Sequence, residues 1–221
     1  MSSVLLDSIL KGPDPDEYTV KKLIREYGIP APRSVLAVES TDYSKLKFPV
    51  VIKVSDPRIL HKSDVGGVVT GIQNIDRLID EIRKMQKKFP NSRILAEEMA
   101  SPGLEIIIGL VKDINFGNVI MLGMGGIYTE LYHDVVFRLT PIDRKDAGDM
   151  IDSTSIRIFE KSFRGITVNR NSVIDVLMSV SRLSVDIGES LEMLDLNPVI
   201  VNADMATAVD AKLILTRRTT S

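Results

Sequence analysis

His61 is one of only two histidines in this 221-residue chain, and it stands in ILHKSDVGGVVTG beside Lys62, Ser63 and Asp64, with Gly66 and Gly67 close behind. A neutral imidazole is a competent nucleophile toward phosphorus when its second ring nitrogen is hydrogen-bonded, because that bond fixes the tautomer. Asp64 and Ser63 are the neighbours able to supply it. A serine-histidine-aspartate hydrolase is disfavoured: there is no GxSxG elbow, and three adjacent residues do not acquire triad geometry by adjacency. From the segment alone, a hydrogen-bonded structural histidine is slightly favoured. His133, in ELYHDVV, has no histidine or cysteine at ligand spacing and reads as a surface or packed ring.

Three further groups invite chemistry. Lys53 interrupts the apolar run FPVVIKVS, residues 48 to 55, and is either a lysine snorkelling to water or a cation held rigidly toward a ligand phosphate. Asn197 and Asp210 are equidistant from a turn centred between Ala203 and Asp204, so a simple hairpin register sets them opposite each other. Opposed residues hold their Cβ atoms roughly 5 Å apart, close enough for two hard oxygens to share Mg²⁺. A solvated hairpin face fits the same spacing. Asp195, two residues from Asn197, shares its face. The glycines of GMGGIYTE, residues 123 to 130, match neither the dinucleotide fingerprint nor a P-loop, which leaves a tight turn or backbone N–H groups approaching an anion.

The elements that must position these groups are well marked. Residues 14 to 30 read as a helix with Asp14 as N-cap, Pro15 at the first position and Gly28 and Pro30 as the stop. FPVVIKVS reads as a strand buried on both faces, VVTGI (68 to 72) and RILAEEM (93 to 99) as strands, and Leu78, Ile82, Met85 and Phe89 as one face of a helix. Met99-Ala100-Ser101-Pro102-Gly103 reads as a hinge. Beyond it LEIIIGLV (104 to 111), NVIMLG (118 to 123) and VVFRLTPI (135 to 142) predict an antiparallel sheet. A helix follows, opening at Asn171 and ending at Gly188, and strands 191 to 201 and 206 to 215 close the chain.

Composition narrows the function. With 28 basic against 30 acidic residues the formal charge is −2, which gives no footprint for nucleic acid or an anionic membrane. Zero cysteines exclude disulfides, thiolate metal sites and cysteine nucleophiles, and suit a reducing, cytoplasmic setting. No stretch approaches the roughly 18 apolar residues of a membrane span, and the N-terminus lacks a basic start with a long apolar run.

In order along the chain, YGIPAP, FPVVIKVS, HKSDVGGV, EEMASPGLEIIIG, FGNVIMLGMGGIYTE, FRG and LDLNP resemble the ATP-grasp subunit of the ADP-forming acyl-CoA synthetases, the ADP-forming acetate-CoA ligases among them. The resemblance implies an α+β ATP-grasp fold of two lobes holding a nucleotide, with residues 1–15 as an N-terminal arm, 16–100 as the small lobe with the phosphohistidine loop, and 101–221 as the large lobe with the Mg-nucleotide site. It implies the ligands ATP/ADP and Mg²⁺, with CoA bound on a partner α subunit that carries the first catalytic histidine, in an α2β2 assembly. By position, His61 resembles the phosphoryl carrier, Lys53 the phosphate-contacting lysine, and Asn197 and Asp210 the Mg²⁺ ligands. Glu98, Met99 and Ala100 fall at the adenine hinge, Glu105 at the ribose, and Gly125 and Gly126 in the nucleotide loop. Asp64 is expected to assist transfer, and Glu130, Asp134, Arg138 and Arg164 are assigned on weaker grounds to phosphate or loop contacts, with Arg164 in FRG, a candidate catalytic residue, the first to test. Asn118 stands where the family more often has proline, a change expected to adjust a turn and leave the nucleotide residues undisturbed. Two other functions compete: a silent regulatory nucleotide-binding module, and an ATP-grasp ligase acting directly on a carboxylate, for which His61 is dispensable.

Overall fold

The computed structural model describes residues 3–38, 41–59, 62–126 and 134–216. Along the chain run α1 (Val4–Lys11), α2 (Glu17–Glu26), β1 (Ser34–Leu36), β2 (Val50–Ser55), β3 (Val68–Ile72), α3 (Ile75–Lys88) and β4 (Arg93–Glu98). Then come β5 (Leu104–Asp113), β6 (Gly117–Met124), β7 (Val135–Leu139), α4 (Arg144–Asp152), α5 (Arg170–Ile187), β8 (Leu191–Val201), β9 (Ala206–Ala208) and β10 (Lys212–Leu215). The chain divides into a smaller unit, Asp16–Thr19 with Pro32–Ala100, and a larger one, Met1–Pro15, Val20–Ala31 and Ser101–Ser221. No helix among the described residues is long and apolar enough to cross a membrane.

The smaller unit is a four-stranded antiparallel sheet in the order β1-β4-β2-β3. Alternation along β2 sends Val50, Ile52 and Val54 to one face, where they pack with Leu78, Ile82 and Met85 of α3. Asn74 caps α3 by accepting from the Arg77 N–H at 3.0 Å, and Lys87 and Lys88 sit in its last turn, where the helix dipole favours cations. Every residue of β2 is buried, so Val51, Lys53 and Ser55 on the opposite face are enclosed too.

In the larger unit the sheet order is β10-β8-β5-β6-β7, with β9 also paired to β8. Alternate residues of the central strands, including Ile106, Ile108, Ile120, Leu122, Leu194 and Leu196, form one core with Leu23 and Ile24 of α2 and Val173, Leu177 and Val180 of α5. The arm expected over 1–15 is not separate in its described part, 3–15: Leu6 and Ile9 of α1 are buried in this core. Residues 20–31 belong here as well, not with the small lobe, because the apolar stripe Val20, Leu23, Ile24 and Tyr27 is buried in the same cluster.

Local chemistry moves several expected boundaries. The cap of α2 is Asp16 in place of Asp14: its Oδ1 accepts from the N–H and hydroxyl of Thr19 at 3.0 and 2.6 Å, and an N-cap serves the third helical residue. Asp14 instead accepts from the Leu215 N–H at 3.4 Å. Helix α5 opens one residue before Asn171, capped by Asn169, whose side chain accepts from the Ser172 N–H at 3.1 Å. The strand expected over 206 to 215 is broken into β9 and β10. Asn118 does more than adjust a turn: its Nδ2 donates to the carbonyls of Ser184 and Gly188, each at 3.2 Å, tying β6 to the end of α5.

Candidate functional site

Candidate side chains form a cluster of charges in the smaller unit and another on the β8 hairpin of the larger. In the smaller unit, strand parity selects the partners of Lys53. Glu97 lies opposite Val51 on β4 and Leu95 opposite Lys53, so Glu97 is the diagonal neighbour of Lys53 on one face. The Lys53 ammonium is 3.0 Å from Glu97 Oε2 and 3.2 Å from Glu17 Oε1. Glu17 Oε2 in turn contacts the Lys62 ammonium at 2.5 Å. Lys53 is 6% exposed, Glu17 5% and Glu97 0%. Burial this deep rules out snorkelling, and charges held there require partners.

Glu98 faces the other way, since successive strand residues alternate. Its Oε1 accepts from the Lys47 N–H at 3.0 Å, while the Met99 side chain is exposed and the Met99 N–H donates to the Pro49 carbonyl. The carboxylate beside Lys53 is therefore Glu97, which sequence reasoning missed along with Glu17 and Lys62. The doubled acid Glu97-Glu98 carried the signal, but only register against β2 says which of the two turns inward.

His61 lies outside the described residues. Next to it, the segment 62–67 folds on itself: Gly66 N–H donates to the Ser63 carbonyl at 2.9 Å and Gly67 N–H to the Lys62 carbonyl at 2.7 Å. Gly66 has φ +62°, which favours glycine, and a Cβ on Gly67 would come within 2.6 Å of Val54 Cγ1. The Gly67 carbonyl also accepts from the Val54 N–H at 2.8 Å. Gly67 is thus seated against β2, and Asp64 is exposed.

The larger unit's cluster is built on the β8 hairpin. One ladder pairs Val199 with Ala208 and the other pairs Asp195 with Lys212. Both obey one register, and two residues in from either pair it sets Asn197 opposite Asp210, at the break between β9 and β10. Asp195 is half-buried, and burial raises its carboxyl above the ordinary value; the charge of Asp210 adds to the rise and Lys212 opposes it. Asp210 accepts from the Ala211 N–H at 2.9 Å. Fully buried Lys21 donates to the neighbouring Val209 carbonyl at 2.5 Å, a support not evident in the sequence.

This donor set suits a hard cation. Asp195 and Asp210 repel each other, and a cation at Asp210 and Asn197 relieves that repulsion. No group of three or more His, Cys, Asp or Glu residues able to hold a metal occurs among the described residues. One carboxylate from Asp210 and one amide oxygen from Asn197 would suit Mg²⁺, which usually takes one or two carboxylates and completes its shell with water and phosphate.

Glu105 and the glycine loop come together on the same unit. The Gly125 N–H donates to the Glu105 carbonyl at 2.8 Å, and a Cβ at Gly125 would lie 2.8 Å from that carbonyl. A Cβ on Gly126 would stand 3.5 Å from Glu105 Oε2. The glycines therefore let the backbone close onto Glu105.

A family model of the ATP-grasp domain matches residues 14–215. The chain belongs to the ATP-grasp family. Its α+β architecture of antiparallel sheets and helices is that fold. Among curated relatives, the β subunit of the ADP-forming acetate-CoA ligase II of Pyrococcus furiosus is 37% identical over 213 residues, 90% of each chain. The β subunit of ligase I from the same organism is 34% identical, also over 90% of each. A solved acetyl-coenzyme A synthetase 1 from Ca. Korarchaeum cryptofilum, in complex with coenzyme A and Ca-AMPCP, superposes with a TM-score of 0.87 at 35% identity, covering 96% of this chain and 98% of that one. Another structure of that synthetase, with coenzyme A and Mg-AMPPCP, is described as having its phosphohistidine segment pointing towards the nucleotide binding site; it gives a TM-score of 0.80 at 36% identity over 90% of this chain and 92% of that one.

Within this ATP-grasp chain the remaining expected residues are dispersed. Arg164 lies on an exposed turn at φ +52°, its guanidinium 5.4 Å over the Phe163 ring. Asp134 accepts from the Ser155 N–H at 2.8 Å. Arg138 donates to the Phe137 carbonyl at 2.9 Å and pairs across the sheet with Ile120, the opposite parity from Asp195. Glu130 and His133 lie outside the described residues.

Proposed function

We propose that this chain is the nucleotide-binding β subunit of an ADP-forming acyl-CoA synthetase of the acetate-CoA ligase type, and that it passes a phosphoryl group from His61 to ADP. The overall reaction is acyl-CoA + ADP + phosphate ⇌ acid + CoA + ATP. Identity of 37% across 90% of both chains to a subunit of that name carries the assignment. In the step assigned to this chain, the N–P bond of phosphohistidine breaks with its electron pair left on the ring nitrogen, a P–O bond forms to the terminal phosphate oxygen of ADP, and a proton carried on the second ring nitrogen leaves the imidazole neutral.

Lys53, rigid on β2, offsets phosphate charge, with Glu97 fixing its ammonium. Glu98, Met99 and Ala100 line the adenine side, while Glu105, Gly125 and Gly126 meet the ribose and phosphates. Asp64 orients the imidazole of His61, and Arg164 offers a second cation. Asn197 and Asp210 hold Mg²⁺, which when bound neutralises nucleotide charge. The partner α subunit supplies the CoA site, the acid site and the first histidine, in an α2β2 complex; the β-subunit names of the relatives support a partner of this kind. The reaction and the absence of a membrane-crossing helix among the described residues suit a cytoplasmic enzyme.

The test is ATP formation from acetyl-CoA, ADP and phosphate by the chain reconstituted with its α partner, in wild type and His61→Ala. The wild-type complex is expected to form ATP and the variant to form none. Undiminished turnover by His61→Ala would overturn the relay and favour direct carboxylate activation.

A further inference from the structure

Glu17 has no place in the relay as described, yet it joins two of its parts. It is the first residue of α2, at the dipole's positive end, which favours a carboxylate there. Its two oxygens are divided between Lys53 on β2 and Lys62, the residue that follows His61. We infer that Glu17 is a positioning residue that couples the seat of the HKSD segment to the phosphate-facing lysine, an inference that rests on the function proposed above.

The charges explain why the coupling matters. Glu17, Glu97, Lys53 and Lys62 together carry a formal charge of zero. Without Lys62 the remaining three carry −1, and a nucleotide phosphate approaching Lys53 meets an excess of carboxylate in a poorly screened interior. With Lys62 on Glu17 that excess is cancelled. Seating of the segment that carries the phosphoryl donor therefore also makes the lysine site hospitable to the acceptor. The same carboxylate holds donor segment and acceptor site in one register, the kind of alignment on which transfer between two bound groups depends.

Three variants in the reconstituted complex separate this from plain scaffolding. Glu17→Gln leaves the cluster at +1: the KM for ADP is expected to stay level or fall, while kcat drops about 10–100-fold because the segment is no longer seated. Lys62→Met leaves it at −1, so KM rises about tenfold and kcat drops as well. The double variant is neutral again: KM returns to within about threefold of wild type while kcat stays low. Lys62 lies nearer the surface than Glu17, so its variant reports even where Glu17→Gln folds poorly. A wild-type complex that makes ATP while all three variants match it overturns the inference and leaves the proposed function standing. Equal, additive rises in KM also overturn it, since they mark both residues as scaffold. A wild-type complex that makes no ATP overturns both.

Discussion

In the smaller unit, Lys53, Glu17, Glu97 and Lys62 neutralise one another in a nearly dry interior; in the larger unit, Asp195 and Asp210 crowd two carboxylates beside an exposed Asn197, with Lys212 as the neighbouring cation. The first cluster pairs buried charges of opposite sign, and its members depend on one another for stability. The second gains from a bound cation and gives up little when a carboxylate is lost. Stability and ligand binding should therefore respond to mutation in opposite ways in the two places.

The largest expected effect is on the buried side. Lys53→Met leaves Glu17 and Glu97 buried without the ammonium between them and should destabilise the chain by about 3–5 kcal/mol. Urea denaturation reads this directly, and an unshifted midpoint would break the contrast. Asp210→Ala should do the converse. Its Mg²⁺ requirement for nucleotide binding is expected to rise by at least about tenfold, a loss that even outer-shell partners of a metal produce. Stability should move by less than about 1 kcal/mol, because Asp195 is freed of a repelling neighbour. Unchanged Mg²⁺ dependence would remove Asp210 from the metal site.

A smaller effect sharpens the comparison within the smaller unit. Asp56 is buried, and hydrogen bonds from the Arg58 side chain above all, with help from Ser92 and the Arg58 N–H, hold its carboxyl well below the usual range. A depressed carboxyl contributes stability above its unfolded value of about 4 and loses it as pH falls toward the folded value. Asp56→Asn should thus cost about 1 kcal/mol at neutral pH after screening. The gap between wild type and variant should close on acidification below about pH 4. A gap of constant size at pH 7 and pH 3 would show that packing, not charge, sets the role of Asp56.

What the sequence revealed depended on the range of the interactions involved. Alternation and helical spacing are local, so β2, α3 and α5 were legible from apolar residues alone, and hairpin arithmetic set Asn197 opposite Asp210 before any fold was known. The partners of Lys53 come from segments 36 and 44 residues away, and nothing local marks Glu17 as more than a first-turn acid. The choice of Glu97 over Glu98 likewise turns on β2–β4 register. The membership of residues 20–31 was missed for a related reason: a stripe shows that a helix buries one face, not which sheet receives it.

The single register running through β9 and on through β10 as far as Ile214 means that the 202–205 turn works as a ruler. Asn202 fastens it, its Oδ1 accepting from the N–H groups of Asp204 and Met205, each at 3.0 Å, while Ala203, Asp204 and Met205 have exposed side chains. Substitution at those three positions leaves the measure intact. Inserting or deleting one residue slides the returning strand by a step and turns Asp210 to the opposite sheet face, away from Asn197. For this hairpin, chain length is a stricter specification than residue identity.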